Sequence, residues 1–343
     1  MKITEAYLVA PRTVELFERN LENKLQDDEL LIEVVSCGIC SSEFSVYKGE
    51  TTGRPGASFR YQKYPIALGH EVTGTIIDVG PQVTKLKIGD KVTGIGYKGS
   101  MFSTHIVESE SLMVKVPDSI DVAFALGEPL LCVTNIVRMS EINFQDFVVV
   151  IGDGFMSLLT IAALSHFPLK EIVVVGHHDN RLKLAKKFGA THTFNSSNLD
   201  PYWQVRQLVD GENHNPKQTP WYDGVDIAYE FAGNMAALQL CASLCKPKQR
   251  AKLMMPSTYG DETFTIGEYL VNRGPSLIPC YPAHSKNVID DLQRAMTALD
   301  KGIFPIKELI THTFALDQIE MAMEYAINKS DNYIKGIIKP NND

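Results

Sequence analysis

Cys37, Cys40, His70, Glu71 and Glu128 carry the ligand chemistry of a metal site, and their spacing sets the first question about this chain. Cys37 and Cys40 form a C-x-x-C in CGICSSEF (37–44), a spacing that serves zinc ribbons and redox dithiols and also arises by coincidence. Downstream, His70 and Glu71 stand in LGHE (68–71), and Glu128 in GEP (127–129). Thiolate and imidazole suit zinc, and a catalytic zinc has about three protein ligands with one position open to water or substrate. Cys40, His70 and one carboxylate would make such a set. Taken singly, each has a plainer reading: a core cysteine, a hydrogen-bonded histidine, a helix-start glutamate.

A second constellation lies further on. Gly152-Asp153-Gly154-Phe155-Met156-Ser157 falls where an apolar strand becomes a helix. Gly152 allows the tight turn, and Gly154 lets the backbone approach a pyrophosphate facing the helix N-terminus. The third position normally takes Gly or Ala for close packing and here is Ser157. The next strand ends in VVVGHHDNR (173–181). An acid there would hold the ribose of NAD. Gly176 instead leaves room for a 2′-phosphate, with His177, His178 and Arg181 to meet its charge, so NADP(H) is favoured over NAD(H). Asp179 is the opposing reading, since a shifted turn would let it bind the ribose hydroxyls.

These residues need two kinds of scaffold. The first 120 or so residues are mainly β, with LLIEVVSCG (30–38), VTGTIIDVG (72–80), KVTGIGY (91–97) and HIVESESLMVKVP (105–117) separated by Gly, Pro, Asp and Lys turns. The Gly- and Pro-rich stretch 49–65 reads as an excursion loop. From about residue 130, FVVVIGDG, EIVVVG, VDIAYEFAG, RAKLMMP and SLIPCY alternate with helical stretches such as 155–167, 180–190 and 234–245. That alternation predicts a parallel, doubly wound sheet. Residues 211–224 read as a surface loop, and two helices and a final strand, IKGIIK, follow residue 283. The expected division is 1–129 with 283–343, and 130–282.

At 343 residues, 44% apolar and 22% charged, the chain fits a two-domain globular protein. A net charge of -8 argues against nucleic acid as a partner. The N-terminal stretch lacks a signal-like pattern, and no run of about 18 apolar residues occurs, so a soluble cytoplasmic protein without membrane association is expected. Six scattered cysteines suit reduced thiols better than a disulfide framework.

Taken together, CGICSSEF, YPIALGHEVTGTIIDVG, KIGDKV, ALGEPLL, the G-x-G turn, RLKLAKKFGA and YIKGIIK resemble the medium-chain zinc-dependent dehydrogenases over almost the whole chain. The Glu of ALGEPLL, where the alcohol dehydrogenase branch has Cys, resembles the polyol (sorbitol) and threonine dehydrogenase branches. The resemblance implies an α/β fold: a GroES-like, mainly β catalytic domain plus a Rossmann coenzyme domain. It implies that Cys40 and His70 hold zinc, that Glu71 and Glu128 are ligands or near-ligands, and that Ser42 starts a proton relay. It also implies that Glu43, where the family has Asp, orients His70, with its extra methylene putting that geometry in question. Ser45 replaces the relay histidine of the alcohol dehydrogenase branch, so the outer relay must differ. The four-cysteine lobe of a structural zinc is missing from GDKVTGIGYKGSMFSTHIVES, so one catalytic zinc is expected.

The implied reaction is reversible hydride transfer between a nicotinamide cofactor and a secondary alcohol of a polyol, sugar or cyclitol, in a homodimer or homotetramer. Tyr47, Lys48 and the 49–65 loop are polar neighbours of the metal residues in sequence and suit a hydroxyl-rich substrate, although Tyr47 has a packing reading too. The competing classes are a zinc-free quinone or enone reductase of the same fold, and a non-catalytic nucleotide-binding homologue.

Overall fold

The computed structural model describes residues 1–21, 24–50, 63–211, 223–247, 251–259, 267–329 and 332–341. Most of the 49–65 excursion and of the 211–224 loop therefore lies outside the described residues. In chain order the strands are β1 (Lys2–Ala10), β2 (Thr13–Asn20), β3 (Glu29–Gly38), β4 (Ile66–Ala67), β5 (Glu71–Val79), β6 (Lys91–Ile95), β7 (His105–Ser109) and β8 (Met113–Lys115). Then come β9 (Phe147–Ile151), β10 (Glu171–Gly176), β11 (His192–Asn195), β12 (Ile227–Glu230), β13 (Lys252–Met255), β14 (Ser276–Pro279), β15 (Ile310–Ala315) and β16 (Lys335–Lys339). Two compact units result: Met1–Leu131 with Asn287–Gly302 and Ile306–Asp343, and Cys132–Lys286 with Ile303–Pro305. No helix among the described residues is long and apolar enough to cross a membrane.

The first unit is the mainly β half. Its seven-stranded sheet runs β15-β16-β3-β5-β6-β8 with β7 also paired to β3, beside a three-stranded sheet β2-β1-β4. Strand β3 is its hub: one edge pairs with β5 throughout, and the other meets β7 first and β16 last. Strands enclosed on both edges and packed on both faces read as near-continuous apolar runs, as LLIEVV does. The handover matters for chemistry. Gly38, the last residue of β3, lies opposite Glu71, the first of β5, and also opposite Ile337, the middle residue of β16. Residues 39–43, 70–71 and 335 therefore meet at one end of the sheet.

The second unit holds a six-stranded, all-parallel sheet of order β11-β10-β9-β12-β13-β14, the doubly wound Rossmann pattern. All five residues of β9, FVVVI, are buried because helices cover both faces of a parallel sheet. The turn from β9 into helix Phe155–Leu164 brings Gly152 and Gly154 to the carboxyl end of that central strand.

The run HIVESESLMVKVP divides into β7 and β8 because Ser109 caps a 3-10 turn over Glu110–Leu112, accepting from the Ser111 amide. Several elements lie outside the stretches singled out above: the β1–β2 hairpin, β11, β15 and helix Pro201–Asp210. Strand β2 is nearly all exposed and so lacks an alternating apolar face. The helix does carry a start signal, Asp200 capping Tyr202 N with Pro201 in the first turn.

Candidate functional site

Cys40, His70 and Glu71 form a cluster in the first unit, with one potential ligand atom from each lying within 4.8 Å of the others. The path from β3 explains it. Gly38 ends the strand, the chain turns at Cys40 into a short 3-10 turn Ser41–Glu43, and Cys40 comes to face the start of β5. Close approach is required at Gly38, where a Cβ would sit 2.0 Å from Glu71 Oε2. Burial opposes a charged imidazole at His70, but the neighbouring Cys40 sulfur and Glu43 carboxylate outweigh it and push the ring well up in pKa. A soft sulfur, an imidazole nitrogen and a carboxylate oxygen make a donor set that fits zinc, whose binding would displace the proton they share.

Glu43 answers the question of its extra methylene. Its carboxylate is fully buried, accepts from Gly69 N at 2.7 Å and lies 3.3 Å from His70 Nδ1, all through Oε1. Fixing Nδ1 leaves Nε2 as the ring nitrogen for a metal. Ser42 is exposed, and its Oγ donates to Cys40 Sγ at 3.2 Å. Glu128 sits in the first turn of helix Gly127–Ser140, anchored where Gly127 N donates to Thr93 Oγ1 at 2.8 Å. Its carboxylate is not part of the 4.8 Å cluster, which singles out Glu71 as the carboxylate beside Cys40 and His70.

Lys335 was not singled out by sequence. At 4% exposure its Nζ donates to Ile39 O at 2.8 Å and to Glu71 Oε1 at 2.7 Å, with Oε2 at 2.6 Å. Burial works against this ammonium, yet Glu71 and Cys40 raise its pKa, so it stays charged. The alternation of IKGIIK would put a lysine at the strand's exposed end, which is why it carries no signal until β16 is paired with β3. Cys37 points elsewhere: it is fully buried in the β core, and burial followed by Glu43 and Glu71 pushes its thiol well up. Tyr47 belongs to the same core, its hydroxyl pushed up to about 12 by burial and by Glu324 and Glu320, which decides for the packing reading. Lys48 pairs with Glu50 at 3.4 Å.

In the second unit, Gly152 has φ +119 and a Cβ there would meet Phe231 at 3.0 Å, so only glycine fits. At Gly154, which caps the following helix, a Cβ would meet nothing within 4 Å: the backbone is open there for a close-approaching group. Ser157 is buried and satisfied, donating to Gly152 O at 2.6 Å, so it braces the turn. These features fit a dinucleotide's pyrophosphate.

The strand end requires a correction. Gly176 does not leave an opening, because the carboxylate of Asp153 fills it: a Cβ at 176 would stand 2.5 Å from Asp153 Oδ2. The amides of His177 and His178 donate to that oxygen at 2.9 and 2.8 Å, and His178 Nδ1 lies 3.0 Å from it. Arg181, buried, stands 3.7 Å from Asp153 Oδ1. Burial would raise the Asp153 pKa, but His178 and the amides lower it, so the group is an anion. The ring of His177 is bound to Ser196 Oγ at 2.9 Å, and Asp179 accepts from Asn195 at 2.6 Å. Two of the three side chains on which the NADP(H) preference rested, His178 and Arg181, are thus already faced by an acid.

The chain thus combines a mainly β unit that carries a Cys, His and Glu cluster with a six-stranded unit of the dinucleotide-binding pattern. The family model for the alcohol dehydrogenase GroES-like domain matches residues 26–118, and that for the zinc-binding dehydrogenases matches 156–295. The sorbitol dehydrogenase of Bacillus subtilis (strain 168) is 26% identical over 92% of this chain and 92% of its own. Two solved structures are similar in fold. One is 2R,3R-butanediol dehydrogenase from Bacillus subtilis, with TM-score 0.82, 22% identity and 99% and 100% of the two chains covered. The other is a zinc-binding dehydrogenase from Sinorhizobium meliloti 1021 bound to NADP, with TM-score 0.83, 19% identity and the same coverage. The chain belongs to the medium-chain zinc-type alcohol/polyol dehydrogenase family, and is an oxidoreductase of that class.

Proposed function

We propose that this protein is a zinc-dependent dehydrogenase that moves a hydride reversibly between a nicotinamide cofactor and a secondary alcohol of a polyol, sugar or cyclitol. The observation that carries this reading is the cluster of Cys40, His70 and Glu71 within 4.8 Å, with the Ser42 hydroxyl 3.2 Å from the cysteine sulfur. Cys40 and His70 are the metal ligands, Glu71 is the adjacent carboxylate, and Glu128 is a near-ligand at the helix start. A zinc ion there supplies Lewis acidity, lowering the pKa of a bound alcohol toward neutrality.

The residues do the rest. Glu43 holds the His70 ring by Nδ1, and Lys335 holds Glu71, so both side chains are oriented before substrate arrives. Ser42, exposed beside Cys40, takes the proton of the alcohol toward solvent. Gly152, Gly154 and Ser157 form the turn that receives the cofactor's pyrophosphate. Hydroxyl-rich substrates are supported by the sorbitol dehydrogenase relative and by Glu128 in place of the alcohol dehydrogenase cysteine.

One metal per chain is proposed, since residues 89–109 carry no cysteine and instead build β6, β7 and a connection that buries Met101 and Phe102. A homo-oligomer is proposed through β14. It is the last strand of its sheet, its outer edge is unpaired among the described residues, and Leu277 and the nearby Val271 and Tyr281 are exposed.

The test is NAD(P)H fluorescence during incubation of the zinc-loaded protein with a panel of polyols, sugars and cyclitols. Turnover that disappears with chelation and returns with zinc is expected. Turnover of quinones or enones without zinc would replace this reading with the reductase, and cofactor binding with no turnover would make the protein a non-catalytic homologue.

A further inference from the structure

Asp153, the middle residue of the G-x-G turn, is bound to the end of the neighbouring strand. In doubly wound folds the end of that second strand, here β10, is where the adenosine ribose is read. We infer that Asp153 makes the site selective for NAD(H), by occupying with its own carboxylate the anion position that the 2′-phosphate of NADP(H) would need. The inference rests on the reading of this turn as a dinucleotide site.

Three observations carry it. The first is the engagement of the β10 end. The His177 and His178 amides, the His178 ring and the Arg181 guanidinium all face Asp153, while the His177 ring is bound to Ser196. The second is space. Asp153 fits only because residue 176 has no side chain, and it is 6% exposed, so it cannot swing aside without giving up buried hydrogen bonds. The third is charge. A 2′-phosphate dianion arriving here would meet a buried carboxylate that already faces the Arg181 guanidinium, and like charges at such a site repel strongly. The other acid of the turn, Asp179, is held by Asn195, so it does not substitute for Asp153. Removing the negative charge at 153 would open the same donors to a phosphate, because Arg181 and His178 would no longer face a carboxylate.

The test is binding, read without turnover. Dissociation constants for NADH and NADPH are measured by nicotinamide fluorescence, and those for 5′-ADP and 2′,5′-ADP by calorimetry, on the wild type and on Asp153→Asn and Asp153→Ser. The wild type should prefer NADH, and 5′-ADP over 2′,5′-ADP, by about tenfold or more. Asp153→Asn should strengthen NADPH binding by about tenfold or more, and Arg181→Ala in that background should remove the gain. A wild type that prefers NADPH or 2′,5′-ADP, or binds both forms equally, overturns the inference while leaving the dinucleotide site intact. So does an unchanged preference in folded Asp153→Asn, with Asp153→Ser as the second variant and thermal melts to establish folding. Binding of none of the four ligands by the wild type would overturn the dinucleotide reading itself, and the inference with it.

Discussion

Lys335 and Glu71 form a buried ion pair beside the metal cluster, and the cost of separating them sets the stiffness of the site. Both side chains are withdrawn from water, so removing one leaves the other as an uncompensated buried charge. Lys335→Met should destabilise the protein by about 3–5 kcal/mol in denaturant unfolding, and adding Glu71→Gln should restore a large part of that loss. Strict additivity of the two losses would show that the pair is not coupled. Ser42 has the opposite character, being exposed, with its hydroxyl on Cys40 Sγ. Ser42→Ala should keep stability and zinc content while lowering kcat about 10²-fold, which steady-state kinetics beside metal analysis would check. Cys40, His70, Glu71 and Glu43 were legible because side-chain chemistry and local motif speak for them. Lys335 and Asp153 were not, since each acquires its surroundings from another strand, β3 for one and β10 for the other.

At the scale of elements, the metal site is a junction of three strand ends. Its tolerance is set at Gly38, where β3 passes closest to Glu71 and to Leu126. A methyl group there would displace a carboxylate tied to Lys335, so Gly38→Ala should weaken zinc binding by roughly 10- to 100-fold in a chelator competition. Unchanged affinity would mean that Glu71 is not needed near the metal. Periodicity made the parallel sheet readable, because its strands are short apolar runs alternating with helices. It did not reveal the β1–β2 hairpin, whose second strand is solvent-facing, or the split between β7 and β8, which depends on one serine cap. Register lay beyond the sequence altogether, and register is what brings residues 40, 70 and 335 to one end of a sheet.

For the whole molecule, two predictions remain. If β14 pairs with its counterpart in a second copy, Leu277→Asp should shift sedimentation toward the monomer, whereas a wild type that sediments as a monomer would remove that assembly. The central claim concerns the metal, and C-x-x-C has become the least informative way to read CGICSSEF. Cys40 faces His70 and Glu71, whereas Cys37 is sealed in the β core with its thiol well above the usual range. The most direct test is zinc stoichiometry by mass spectrometry of the intact protein for the wild type, Cys40→Ser and Cys37→Ala. One zinc per chain in the wild type, none in Cys40→Ser and one in Cys37→Ala is predicted, with only a modest loss of stability in the last. Two tightly held zinc ions in the wild type, or equal loss of metal in both variants, would contradict it.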